Sequence, residues 1–383
     1  MKCEQLFKVI DSLSDEYLQF LTDICTIESP TEFKQGVDRV GEYFAQKAIE
    51  KGWLVETQHQ EISGDAVCIT MNADAKGAPV CFSGHTDTVH PIGSFGEPPV
   101  RRDDKKIYGP GVSDCKGGLA ASFMAMDALQ RCGFKDRPVK LLLQSDEENG
   151  SRNSKKTTIR YLGEKAMGCI AFLNTENSRK ESIVISTKGI LKYNFRVTGV
   201  AEHSSRCQNG ASAICEAAQK IIRLEKFKNP EEITCNCGLI RGGSAENTVP
   251  EECTFSADFR YFTKEERELI EQTVEEIANT SFVKGTSCTY TLASSRVSME
   301  KTQRNVDLFH KVHDIHLENG LGETKMIGLF GGTDAADITQ MGIPCLEGFG
   351  LLGGNIHKLG EYAEIDSLAF AAKRLASVAY CIQ

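Results

Sequence analysis

The sequence predicts an α/β protein, a sheet covered by helices, interrupted by a smaller α+β domain. Three observations carry this expectation. Apolar runs of strand length alternate with helical patterns up to about residue 187 and again from about 300. Between 188 and 299 the strands turn half-polar and follow a strand–helix–strand–strand–helix–strand order. A chain of 383 residues also exceeds one ordinary core, so two domains are expected. The implied organisation is a discontinuous domain, 1–187 with 300–383, and an inserted domain, 188–299.

Taken in order, the opening "MKCEQLFKVIDSLSDEYLQFLTDI" places apolar residues at helical spacing. Charges break every apolar stretch, so it reads as neither a signal peptide nor a membrane span. "APVCFSGH" (78–85) reads as a strand, and "GGLAASFMAMDALQRCG" (117–133) as a helix stopped by glycine. "PVKLLLQS" (138–145) and "GCIAFLNT" (168–175) are further buried strands. In the middle, "LKYNFRVTG", "EITCNCGLIRGG" and "ECTFSADFRY" are strands, with helices around 210–227 and 264–279. After 300, "NVDLFHKVHDIHLENG" reads as a helix and "PCLEGFG" as a strand.

Composition narrows the function classes. The net charge is −9 and no long basic run occurs, which argues against nucleic acid and anionic membranes as partners. Fifteen cysteines, an odd number without regular spacing, read as reduced thiols in a cytoplasmic protein. Cys235 and Cys237 form a C-x-C without a partner pair, which argues against a structural zinc there.

"LLLQSDEENG" ends an apolar run in Asp146, Glu147 and Glu148. Adjacent like charges repel, so something must compensate them. Other acids and histidines fall at equivalent places. "SGHTDTVHP" holds His85 and Asp87, "YGPGVSDCKGG" Asp114, "FLNTEN" Glu176 and "GGNIHKLGE" His357. All follow strands or sit in neighbouring loops, where open α/β sheets build their sites. Singly, Asp114 reads as a helix cap and Glu176 as a solvated strand end. Jointly they supply nitrogen and oxygen donors suited to Zn²⁺ or a similar divalent ion. Two histidines and three carboxylates suit a two-metal site with one bridging carboxylate. The cations would offset carboxylates whose pKa values burial would otherwise raise.

The motifs "SGHTDTV", "YGPGVSDCKGG", "DEENGS", "AEHSS", "GGSAENTVP", "SADFRY", "FGGTDAAD" and "HKLGEYAEI" run through nearly the whole chain. Together they resemble the dizinc exopeptidase and deacylase family that includes glutamate carboxypeptidase (carboxypeptidase G), acetylornithine deacetylase, succinyl-diaminopimelate desuccinylase and aminoacylase. The glutamate carboxypeptidase branch is the most similar. The resemblance implies a mixed-sheet, zinc-exopeptidase-like catalytic domain with an inserted ferredoxin-like lid or dimerisation domain. It implies two divalent ions, zinc first, with cobalt or manganese as alternatives. Asp114 would bridge them, His85 and Glu176 would complete one site, and Glu148 and His357 the other. Asp87 would orient His85. Glu147 would be the general base, so the acid run would divide metal binding from proton transfer; Asp146 would be supporting.

On the substrate side the resemblance makes His203 an oxyanion stabiliser that reaches a partner's cleft in dimeric members. Arg260 would grip a substrate carboxylate, assisted by Asn247, and Gly331, Gly332 and Thr333 would line the pocket. Two departures stand out. Gly328, followed by Leu329 and Phe330, occupies the place of an arginine found in glutamate carboxypeptidases, which implies a less polar wall. Cys115 stands where many relatives carry methionine. His310, His313 and His316 drift around their helix and read as packing residues. The implied function is release of a C-terminal amino acid from a small peptide, by a homodimer joined through the inserted domain. Hydrolysis of an N-acyl amino acid is the alternative. A non-catalytic binding protein is the distant one, and it would be expected to lack the base or a ligand.

Overall fold

The computed structural model describes residues 2–179 and 181–383. Two compact units are present. One comprises the residues up to Ile185, Lys301–Gly328 and Thr333–Gln383; the other comprises Ser186–Glu300 and Leu329–Gly332. The strands that matter here are, in chain order, β1 (Leu54–Gln58), β2 (Ala66–Met71), β3 (Val80–His85), β4 (Val139–Gln144), β5 (Ala171–Asn174), β6 (Ser182–Thr187), β7 (Gly189–Thr198), β8 (Thr234–Gly242), β9 (Glu252–Tyr261), β10 (Ser287–Arg296), β11 (Lys325–Leu329) and β12 (Cys345–Glu347).

An eight-stranded sheet runs β1-β2-β4-β3-β5-β12-β6-β11. Its centre, β4-β3-β5-β12, is parallel, and β1, β2 and β6 pair antiparallel outside it. Parallel strands are covered on both faces, which explains why β3 and β5 are buried at every residue. The helix Lys116–Arg131 lies against this core and buries nearly every side chain. Its first turn can approach only because it lacks side chains. A Cβ on Gly118 would lie 2.0 Å from the Thr175 carbonyl, and one on Gly117 2.2 Å from that of Val112. The "PCLEGFG" strand is shorter than its apolar content suggests. Pairing ends at Glu347, before Gly348 turns into left-handed space at φ +90°.

A small sheet, in the order Gly353–Gly354, Tyr362–Glu364, Lys106–Tyr108, Arg101–Arg102, draws the loop after residue 354 against the loop before residue 115. Two- and three-residue strands carry too little periodicity to be read from sequence.

The inserted unit has a four-stranded antiparallel sheet, β8-β9-β7-β10, with helices Ala213–Leu224 and Lys264–Asn279 between its strands. Burial alternates along β7 and β9, as expected for a sheet with one covered face. Phe195, Phe255, Phe259, Ile270 and Val274 form part of its separate core. The helix at 264 begins with a reciprocal Thr263–Glu266 capping box. No helix among the described residues is long and apolar enough to cross a membrane.

Candidate metal centre

Five of the predicted residues meet at the carboxyl ends of the parallel strands. His85 ends β3, Glu148 lies in a 3-10 turn just after β4, and Glu176 lies just after β5. Asp114 immediately precedes the Lys116–Arg131 helix by way of Cys115, to which it is joined by a cis peptide bond. His357 comes from the loop between the Gly353–Gly354 and Tyr362–Glu364 strands of the small sheet and holds a left-handed φ of 62°. Asp114 sits between the imidazoles: Oδ1 is 3.3 Å from His85 Nε2 and Oδ2 is 3.1 Å from His357 Nε2. Glu176 Oε1 approaches His85 Nε2 at 3.6 Å, and Glu148 Oε2 approaches His357 Nε2 at 3.2 Å. Each imidazole therefore faces Asp114 and one further carboxylate.

The surroundings orient these groups. His85 is 1% exposed, and its Nδ1 lies 2.9 Å from the backbone carbonyl of Asp87. A carbonyl can only accept, so Nδ1 carries a proton, which leaves Nε2 to donate to Asp114 in the absence of a metal and to offer its lone pair to a cation that displaces that second proton. The Asp87 carboxylate is farther, at 3.4 Å, and its stronger ties lie elsewhere. It accepts the N–H groups of Glu147 and Glu148, each at 3.2 Å, and the Thr31 hydroxyl at 2.7 Å. Asp87 thus aims His85 mainly through its main chain and clamps the two-glutamate turn through its side chain. Asp146 holds the other side of that turn, accepting from the Ser154 amide and from the Ser154 and Thr158 hydroxyls.

Sequence reasoning assigned no role to Glu361, although it lies inside the quoted "HKLGEYAEI". Its carboxylate is fully buried and accepts three backbone N–H groups, from Gly111, Ser113 and Asp114, at 3.1, 2.8 and 3.0 Å. His90 Nε2 donates to it at 2.8 Å. It therefore fastens the Asp114 loop to the segment that carries His357. Glu361→Gln is expected to weaken affinity for added Zn²⁺ by about 10–100-fold, measured by competition with a chelator. Unchanged affinity would leave Glu361 a packing role only.

The donor set fits a cation. Atoms of His85, Asp114 and Glu148 lie within 4.8 Å of one another, as do those of His85, Cys115 and Glu176. Burial first, and then the negative charges of Asp114 and Glu147, push the Glu148 carboxyl up to about 7 against the pull of His357 and His85, and burial with the neighbouring Cys115, Asp114 and Glu147 raises Glu176 well above the usual carboxylate range. Asp114 moves the other way: burial opposes its ionisation, but hydrogen bonds from His357 and His85 hold it well below the usual range. Hydrogen bonds to Asp114 and Glu148 pull His357 up to about 10. The cluster concentrates negative charge and attracts positive charge to its centre, and a divalent ion would supply that charge in place of protons. Cys115 is the weakest of the grouped donors. Burial pushes its thiol up, and its Sγ already accepts the His85 N–H at 3.0 Å.

The remaining predicted residues have the following surroundings. His203 is exposed in the inserted unit, and its Nδ1 accepts the Ser205 N–H at 3.2 Å, leaving the proton of a neutral ring on Nε2. The Asn247 carbonyl accepts the neighbouring Ser204 N–H at 2.9 Å. Arg260 is less free than a carboxylate grip requires. Its Nε and Nη2 bind Asp258 Oδ1 and Oδ2 at 2.7 and 3.2 Å. The two lie two apart on β9 and so share a face, a pairing visible in "ADFRY". Thr333 caps the Asp334–Gln340 helix, and its hydroxyl hydrogen-bonds the buried Glu347. A Cβ on Gly331 would meet nothing within 4 Å, whereas one on Gly332 would lie 2.7 Å from Arg296 Cδ. His316 is buried against the Arg374 carbonyl, and burial takes it down to about 3, as befits a packing histidine. Glu225, Cys235 and Cys237 also gather, but Glu225 already pairs with Lys228 and accepts the Cys237 N–H at 2.5 Å.

Imidazoles and carboxylates collected outside parallel strands, with a further acid beside them, define a metal-dependent hydrolase of α/β architecture. The chain belongs to peptidase family M20/M25/M40, whose family model matches residues 81–380. It is 26% identical over 374 residues to carboxypeptidase G2 of Pseudomonas sp. (strain RS-16), covering 95% of this chain and 88% of that protein. It is 25% identical over 376 residues to succinyl-diaminopimelate desuccinylase of Rickettsia akari (strain Hartford), covering 92% and 96%. Among solved structures, aminopeptidase PepT of Bacillus cereus ATCC 10987 shares the fold, with a TM-score of 0.80, 20% identity, and coverage of 96% and 98%. The α/β class with an inserted α+β unit, expected from the sequence, is the architecture found.

Proposed function

We propose that this protein is a metallo-carboxypeptidase that hydrolyses an amide bond and releases the C-terminal residue of a small peptide. The observation that carries the reading is the pair of Asp114–imidazole contacts, at 3.3 and 3.1 Å, each completed by a second carboxylate, with Glu147 beside them. The similarity to carboxypeptidase G2 along most of both chains supports the carboxypeptidase reading. His85, Glu176 and Asp114 would hold one divalent ion and His357, Glu148 and Asp114 the other, most readily Zn²⁺. When bound, such ions polarise the scissile carbonyl and make water more acidic.

The chain's own groups do the rest. Glu147 takes a proton from the attacking water and passes it to the leaving amine. Asp87 keeps its turn in register by holding the backbone of Glu147 and Glu148. His203, with Nε2–H available, donates to the developing oxyanion. Asn247 and Arg260 receive the substrate carboxylate, and Arg260 does so after sharing or releasing Asp258. Dimerisation through the inserted unit would place His203 in a neighbouring subunit's reaction.

Hydrolysis of N-acyl amino acids is the second reading, and the similarity to a desuccinylase favours it. A mass-spectrometric screen separates the two. Zinc- or cobalt-loaded protein is incubated with dipeptides ending in Glu, apolar or basic residues, and with N-acetyl and N-succinyl amino acids. Cleavage confined to the acylated set would reject the carboxypeptidase. Arg260→Ala is expected to raise KM for free-acid substrates by about tenfold and to leave C-terminally amidated ones nearly unchanged. Equal losses on both would remove the grip.

A further inference from the structure

Among the described residues three lysines are fully buried, and they are treated differently. Lys220 Nζ pairs with Glu216 at 2.9 Å and donates to the carbonyls of Ile277, Ala278 and Thr280 at 2.5, 3.3 and 2.6 Å. Lys116 Nζ donates to the carbonyls of Ile24 and Ile27 at 3.1 and 2.8 Å. Lys188, 1% exposed, has two aromatic faces beside its charge. Its Nζ lies 4.9 Å from the Phe262 ring centroid and 5.4 Å from that of Phe330. Among the described residues its ammonium has no carboxylate or carbonyl at hydrogen-bond distance. Of the two acids whose charge it feels, Glu266 and Glu231, the first is engaged by main chain. Glu266 accepts the N–H groups of Phe262 and Thr263, and Asp258 holds Arg260 and Lys192.

A buried ammonium offers three donors that ring faces satisfy only in part. We propose that Lys188, between Phe262 and Phe330 in the inserted unit, binds the carboxylate of an acid that carries an apolar side chain. This deepens the carboxypeptidase reading and rests on it for the identity of the acid, a substrate's C-terminal residue. The Lys188 N–H donates to the Leu329 carbonyl at 3.0 Å and so ties the 329–332 segment to the backbone that carries this side chain. Phe330 is 59% exposed and offers an apolar surface next to the charge. A Cβ at Gly331 would meet nothing within 4 Å, so the space next to Phe330 on that side is open. Burial pulls the Lys188 ammonium below the usual lysine range, against Glu266 and Glu231 and with Arg260, so an arriving anion would be welcomed. Arg260, already gripped by Asp258, becomes the secondary cation of the pair.

The test uses the metal-loaded wild-type protein and an amine-acylating reagent, with modification of Lys188 read by peptide mapping. 3-Phenylpropanoate is expected to slow acylation of Lys188 by about fivefold or more, and 3-phenylpropanamide to leave it unchanged. No acylation of Lys188 in the free protein, or acylation that the acid does not slow, would overturn the proposal. A second arm uses Lys188→Met with Ala-Phe and Ala-Phe-amide. KM for the free acid is expected to rise about tenfold with kcat within about twofold, Lys188→Arg restoring most of the loss. Equal changes on both peptides would also overturn it. If the wild type cleaves neither peptide yet Lys188 is protected by the acid, the carboxypeptidase reading falls and the carboxylate site stands.

Discussion

Glu147→Ala is expected to cut turnover by a factor on the order of 10² or more while metal content stays close to that of the unsubstituted protein. The separation is physical. The Glu147 backbone, not its side chain, is tied to Asp87 Oδ1, so the turn that presents Glu148 should survive truncation. The side chain is a buried acid whose charge acts on Glu148 and Glu176, and it is the group proposed to carry the proton and not to hold a cation. Steady-state rates on a cleaved dipeptide, together with elemental analysis of the same preparation, decide the matter. Near-normal turnover would remove Glu147 from the reaction.

Asp114→Ala should do the opposite to metal content. Its two oxygens stand between two imidazoles, whereas Glu176 pairs with His85 and Glu148 with His357. Without it, each cation would lose a ligand and their mutual repulsion would lose its screen. We expect retention of less than one ion per chain after dialysis and a fall in turnover on the order of 10³. Full retention of metal would refute the bridging role. The two variants together distinguish loss of the proton carrier from loss of the cations.

Much of this cluster was readable because its residues follow apolar strands, and parallel strands deliver their carboxyl ends to one edge of a sheet. The gathering of His85, Glu148 and Glu176 follows from that rule, and Asp114 and His357 join them from Gly-rich loops. What escaped reading depends on partners distant in sequence. Glu361 meets the amide of Asp114 across 247 positions, and no local pattern announces a carboxylate that binds main chain. Lys188 reads as an ordinary charged residue after a strand, because sequence does not show which lysines lack an acceptor. Arg260 is the instructive middle case. The Asp258 that engages it lies two residues away, and strand alternation alone would have placed the two side by side. The fold class was legible from periodicity, whereas the small sheet that brings the His357 loop to the Asp114 loop was not, because its strands are two or three residues long.

The proposed ligands come from chain segments on both sides of the inserted unit, four before it and His357 after it. An ion that binds such a set can recognise only the fully assembled unit, so the free energy of its binding also opposes unfolding. At a free concentration one hundred times its dissociation constant, one such ion would add about 2.7 kcal/mol to the folded state. Thermal denaturation would therefore respond to zinc activity, and cells poor in the metal would hold a protein that is both idle and easier for proteases to open.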